Sequence, residues 1–259
     1  MKSNSEPPAG GTRQQAPLFD RDKPSEHVTS ETIDGANAIV ERFREYRRNR
    51  IVLQERGIDL LVPNLVRCYF QAHIRRCLMF VEAGAAEIDA GRPLAAELCT
   101  RAIYENIATI CDLSDKIAPL CEAVDYAGVE RLVTQAAFAT RIPSFLEKNG
   151  EDLKASQILT QIDRMNKRYA NFREDYDHQS DIVHPNGLGA FVYFGTLTSG
   201  VADFKDDGNN PDRARTALIA ATILLTHAEE AIASTEQRLQ KLSSDVIARD
   251  DPDRGANER

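Results

Sequence analysis

Apolar residues recur at helical spacing along most of the chain, in runs long enough to name the elements. Ser30 stands as N-cap of a first helix carrying Ile33, Ile39, Val40, Phe43 and Tyr46, which the pattern extends to about Gly57. A second runs from about Pro63 through Leu65, Tyr69, Ala72 and Phe80 to Gly91, and Pro93 opens a third that reaches about Ile117. This third helix has Ile103, Ile107, Ile110, Leu113 and Ile117 on one face. Leu94, Leu98, Ala102 and Ala108 lie opposite, beside Arg101 and Glu105. Two apolar faces predict a helix at the centre of a bundle. Shorter helices are expected over residues 119–125 and 129–142, the second broken by Pro143.

A long helix is predicted over residues 152–184, stopping at Pro185 because the residue before proline is pushed out of helical geometry. Ile158, Ile162, Met165, Tyr169 and Phe172 share its apolar face, which turns polar through Tyr176, Ser180 and Val183. The text then changes character. Residues 187–204, GLGAFVYFGTLTSGVADF, are aromatic and glycine-bearing, and fit a short hairpin or an irregular loop equally well. Asn210 caps a final helix with Pro211 at its first position and Ala214, Leu218, Ala221, Leu225 and Ala228 on its inner face. With short connections and few strands, the pattern predicts an all-α, mainly antiparallel helical bundle over residues 30–248, with an irregular or hairpin segment near 188–204. Residues 1–29, rich in Pro, Gly, Ser and Gln, and residues 249–259 read as disordered tails.

Composition narrows the function classes. A hydrophobic content of 42% supplies a core, and the longest apolar run, residues 217–225, falls short of the roughly 20 residues of a membrane span. The expectation is a cytoplasmic protein without a membrane partner. A net charge of -8 argues against broad electrostatic binding to nucleic acid. Arg42, Arg44, Arg47, Arg48 and Arg50 crowd one stretch, but Glu41, Glu45 and Glu55 are interleaved as on a solvated helix. The five cysteines form no CxxC pair and read as buried thiols, and His73 reads as a satisfied core or boundary histidine. Neither GxGxxG, GxxxxGK[ST] nor GxSxG occurs, so no phosphate loop or nucleophile elbow is expected.

The polar stripe is the candidate site. Counted from Arg173 at 100° per residue, Asp177 lies about 40° around the helix, Ser180 about -20° and His184 about 20°, beside Tyr176. A histidine at the end of such a stripe can be held protonated by the helix dipole and Asp177, or neutral by burial; it can equally be a plain anchor for the turn at Pro185. A metal site built from Asp181, His184, His227, Glu230 and Glu105 is a further alternative, though the paired ExxH motifs of dimetal bundles are absent. No cofactor is expected.

RAIYE, with Arg101 and Glu105, followed by YDHQSDIVHPNG, with Tyr176, Ser180 and His184, resembles a bacterial domain family of unknown function with an RxxxE helix and a YxxxSxxxH helix. That family is regarded as related to the HEPN bundles of defence and toxin systems. The resemblance covers roughly residues 60–245 as a helix pattern and is specific at five positions. It implies that Arg101, Glu105, Tyr176, Ser180 and His184 meet in one pocket, with Arg101 pairing Glu105 and Glu105 orienting a His184 nitrogen. Active HEPN ribonucleases separate an arginine and a histidine by four to six residues, and Arg173 and His178 have four between them. On a continuous helix, however, His178 sits about 140° from Arg173 and faces solvent. Arg173 and His184 share a side but have ten residues between them, a departure from the HEPN pattern.

Two functions follow as expectations. One is a metal-independent ribonuclease in which His184 or His178 acts as base, Arg173 stabilises the phosphorane and Glu105 orients His184, acting on RNA as a homodimer. The other is a non-catalytic binding or regulatory module with a protein partner, in which Arg101, Glu105, Tyr176, Ser180, Asp177 and His184 form a structural network.

Overall fold

The computed structural model describes residues 16–23, 27–53, 61–206 and 211–250. Its central element is α3 (Pro93–Glu122), which contacts α2 (Leu61–Asp89), α4 (Tyr126–Ala137), α6 (Ile158–Asn166), α7 (Phe172–Val183) and α8 (Pro211–Asp250). Its apolar residues require this. Ile103, Ile107, Ile110 and Ile117 are wholly buried on one face and Ala96 and Ala108 on others, each isoleucine contributing roughly 1.5–3 kcal/mol of burial. Leu98 departs from the expected second face and is 52% exposed. The inner face read for α8 is the one observed: Ala214, Leu218, Ala221, Leu225 and Ala228 have no solvent exposure. The stretch Asp212–Ser244 is, by length and composition, long and apolar enough to cross a membrane, and here its apolar side packs on α1 (Ser30–Glu45), α2 and α3.

The α2–α3 connection is short, with Gly91 at φ 71°, so the two helices run antiparallel. Gly84 of α2 meets Leu218 and Cys99 so closely that an added Cβ would stand 2.9 Å from the leucine methyls and 3.2 Å from the cysteine Cβ. The fold is an all-α bundle carrying one two-stranded hairpin, β1 (Gly195–Thr198) and β2 (Val201–Phe204), entered through a π-helical turn at Gly187–Val192.

Boundaries differ from the periodicity where local chemistry overrides it. Thr29 caps α1, its hydroxyl accepting from the Thr32 N–H, and the helix ends at Glu45 because Arg47, Arg48 and Asn49 offer no apolar face; residues 54–60 lie outside the described residues. α3 continues through Pro119, absorbing the helix expected at 119–125. Asp125 caps α4 by accepting from the Gly128 N–H at 2.8 Å, and Pro143 opens α5 (Pro143–Asn149) instead of breaking a helix. A 3-10 turn, Glu151–Leu153, then leads to α6.

Part of the segment expected as an N-terminal tail is packed. Phe19 and Val28 are in the core, the Asn37 amide brackets the Phe19 backbone with two 2.9 Å hydrogen bonds, and Arg215 donates to the carbonyls of Asp20 and Lys23. Residues 1–15, Asn210 as a cap, and the tail beyond Asp250 lie outside the described residues.

Candidate functional site

The long helix expected to carry the site is two helices. α6 ends at Asn166, Asn171 adopts a left-handed φ of 71°, and α7 restarts at Phe172. Asparagine tolerates that conformation, and Asn166 Oδ1 accepts from the Arg173 N–H at 3.1 Å, satisfying a donor at the new N-terminus. Tyr169, inside the break, stacks on His227 of α8 with ring centroids 3.5 Å apart. The break turns α7 relative to the face drawn through α6. Phe172, Tyr176, Gln179 and Ile182 are its buried residues, while Ser180 and Val183 are half-buried.

Arg101 and Glu105, one turn apart on α3, form an ion pair at 3.3 Å. Tyr176 of α7 is buried and closes the group: its hydroxyl donates to Glu105 Oε1 at 3.1 Å and accepts from Arg101 Nη2 at 3.5 Å. The guanidinium also lies 5.7 Å from the tyrosine ring centroid. These three residues tie α3 to α7. Above them opens a cavity of about 370 Å³ lined by Arg101, Arg141, Arg173, Tyr176, Ser180 and His184, with Asp177, Gln157, Ile158 and Leu159 at its sides.

Two donors at this cavity have no hydrogen-bond partner. Arg101 Nε touches Glu105 as a charge contact without a hydrogen bond, and Ser180 Oγ is buried with no acceptor or donor. Such groups are costly to bury unless something fills the space beside them.

His184 is the C-cap of α7, extended at φ -81° and ψ 143° as Pro185 requires, and it is exposed at the cavity rim. Glu105 does not orient it: among the described residues Glu105 is held by Tyr176 and Arg101, and no hydrogen bond joins it to His184. The extended cap takes the imidazole off the line along which a continuing helix would have delivered it. Arg173 is paired on two sides, with Asp177 at 2.7 Å and Asp163 at 2.5 Å, and these hydrogen bonds hold its proton more tightly. It therefore clamps α6 to α7. His178 is exposed in an open depression with Glu174 and Asp181, its pKa lowered first by partial burial and then by Arg213.

The alternative metal set is not assembled: His227 is held between Tyr169 and Glu230, and among the described residues no three His, Cys, Asp or Glu side chains stand close enough to hold an ion. All five cysteines are free. His73 is satisfied by Asn106 at 2.9 Å and lies against Tyr69.

Sequence reasoning missed Arg141, which enters from the loop after α4 and donates to the Ser156 carbonyl at 3.2 Å; only the tertiary fold brings it here. It also missed Glu97. This carboxylate has no solvent exposure, neither oxygen accepts a hydrogen bond, and Arg213 Nη2 is 3.6 Å away. Burial pushes its pKa up to about 7 against the opposing pull of Arg213. Nearby, burial and then Glu97 push the Tyr193 hydroxyl up to about 12. The signal was available, since Glu97, Arg101 and Glu105 recur at four-residue spacing on one face.

No family model matches the chain, and no curated protein or solved structure matches it.

Proposed function

We propose that this protein is a non-catalytic helical binding module whose α3–α7 cavity receives an anionic group of a ligand. The observation that carries the reading is the convergence of Arg101, Arg141, Arg173 and Ser180 on one cavity, with Arg101 Nε and Ser180 Oγ buried beside it and making no hydrogen bond. An acceptor oxygen placed there satisfies both donors and gains charge-assisted hydrogen bonds. The Arg101, Glu105 and Tyr176 group is then the structural floor of the site. Asp177 and Arg173 neutralise each other at its edge, and His184 stands at the mouth. A cleft of three guanidinium groups, two of them offset by Glu105, Asp163 and Asp177, in a chain of net charge -8 favours a small anionic group over an extended polyanion. Titration calorimetry with inorganic phosphate, a nucleoside monophosphate and a dicarboxylate tests it; saturable binding by one of them is expected, and no heat from any would refute the reading.

A second reading is a HEPN-like, defence- or toxin-associated ribonuclease acting without metal. It rests on His184 and Arg173 lining the same cavity, with the imidazole exposed to take a ribose 2′-hydroxyl proton. The double pairing of Arg173 and the missing bond between Glu105 and His184 weigh against it. Incubation with total RNA and tRNA in chelator, beside His184→Ala, decides it: cleavage lost in the variant supports catalysis, and no cleavage by the wild type removes it.

A further inference from the structure

Large apolar side chains are mostly covered in this bundle, yet five stand exposed within residues 191–204: Phe191, Val192, Leu197, Val201 and Phe204, from 43% to 66%. They sit on and beside a two-stranded ribbon, an element that is marginally stable alone. Ser199 and Gly200, at φ 50° and 83°, form its tight turn, which fixes Thr198 opposite Val201.

The ladder has a definite phase. The Lys205 N–H bonds the Phe194 carbonyl at 2.9 Å, and hydrogen-bonded pairs alternate with non-bonded ones, so Gly195 and Phe204 are a non-bonded pair. The backbone N–H and C=O of Phe204, and those of Ala202, therefore point away from β1. Among the described residues no backbone group bonds them from outside the ribbon. Leu197 and Phe204 share one face, where Phe191 meets the Phe204 ring edge-on at 5.9 Å. Asp203 and Lys205 lie on the other.

We propose that β2 is a self-association edge, paired antiparallel with β2 of a second copy of this chain. Charge complementarity favours a second copy as occupant and one register over its neighbour. Outward-facing Ala202 and Phe204 restrict symmetric pairings to a few of the right phase. Setting Ala202 opposite Phe204 would place Asp203 against its own copy, a like-charge pair that opposes association. Setting Phe204 opposite Phe204 instead places Asp203 of each copy opposite Lys205 of the other, twice by symmetry. The same register joins the two Leu197–Phe204–Phe191 faces into one apolar strip across the axis. An edge that complements itself in hydrogen bonds, charge and apolar surface together is fitted to its own copy, in the mode of strand addition.

Sedimentation equilibrium of the full chain tests this with variants outside the bundle. The wild type is expected to dimerise with a Kd in or below roughly the 100 µM range. Lys205→Asp, which sets aspartates opposite each other twice, is expected to weaken the dimer by about tenfold, and Asp203→Lys combined with Lys205→Asp to restore it to within about threefold. Phe204→Glu is expected to leave monomer with unchanged helical circular dichroism. A wild type monomeric at about 100 µM, a dimer indifferent to Lys205→Asp, or a charge swap that fails to restore association overturns the proposal. So does a monomer that binds phosphatidylcholine vesicles through the same side chains.

Discussion

The two sides of α3 differ in what holds them and in how well they can be read. Against α8 the contact is mainly apolar, onto a helix whose Leu218, Ala221, Leu225 and Ala228 are fully buried, with polar links at Ser114–Thr235 and Glu97–Arg213. Against α7 it is a polar group of three, Arg101, Glu105 and Tyr176, beside donors left without partners. The first side is held chiefly by buried apolar volume. Both sides keep buried polar groups without hydrogen bonds, Glu97 against α8 and Arg101 Nε and Ser180 Oγ against α7, and the α7 group alone borders an open cavity.

Mutations should expose that difference. Leu218→Ala leaves a hole where α8 packs on Gly84 of α2, and is expected to cost about 2–5 kcal/mol, read as a drop in denaturation midpoint at unchanged m-value. A loss below about 1 kcal/mol would mean that the apolar side is not the stronger one.

Glu97 gives the next largest effect and carries a pH signature. Its folded pKa of about 7 stands above the ordinary 4.5, so between those values the folded chain holds a proton that the unfolded chain releases. The stability from its neutral form is fully present below about pH 4.5 and is lost as pH rises through about 7, by roughly 3 kcal/mol at most. Glu97→Gln keeps the shape without the titration. It should flatten this part of the stability profile and make the variant the more stable protein at pH 8; a profile parallel to wild type would show that Glu97 does not titrate there.

Tyr176→Phe is the smallest change. The ring and its packing stay, and only the hydroxyl that bridges Glu105 and Arg101 is lost, for about 1 kcal/mol. A cost as large as that of Leu218→Ala would make the polar side the stronger support for the fold.

The same contrast explains what the sequence could reveal. Periodicity located the buried face of α8 and the central place of α3 because both helices run unbroken through their apolar stretches, so each residue's angle follows from its number. The resemblance, rather than the period, brought Arg101, Glu105 and Tyr176 together, and these three do meet. Periodicity failed across residues 166–172, where Asn171 breaks the single helix expected there; within α7 the expected Phe172 and Tyr176 are buried, but Gln179 and Ile182 are buried where Ser180 and Val183 were expected. His184 was placed in the stripe as if the helix continued, and as the extended cap before Pro185 it is exposed. Phe19 and Val28 were hidden by polar neighbours, since two apolar residues in a Pro- and Ser-rich stretch show no period.

Ser180→Ala, followed by thermal unfolding and by calorimetry with the anion that binds the wild type, tests the binding account most directly. The Ser180 hydroxyl is buried and makes no hydrogen bond, so its removal should leave Tm unchanged or slightly higher while weakening the anion by about tenfold. A fall of several degrees in Tm with undiminished affinity would contradict the account and make Ser180 a structural residue.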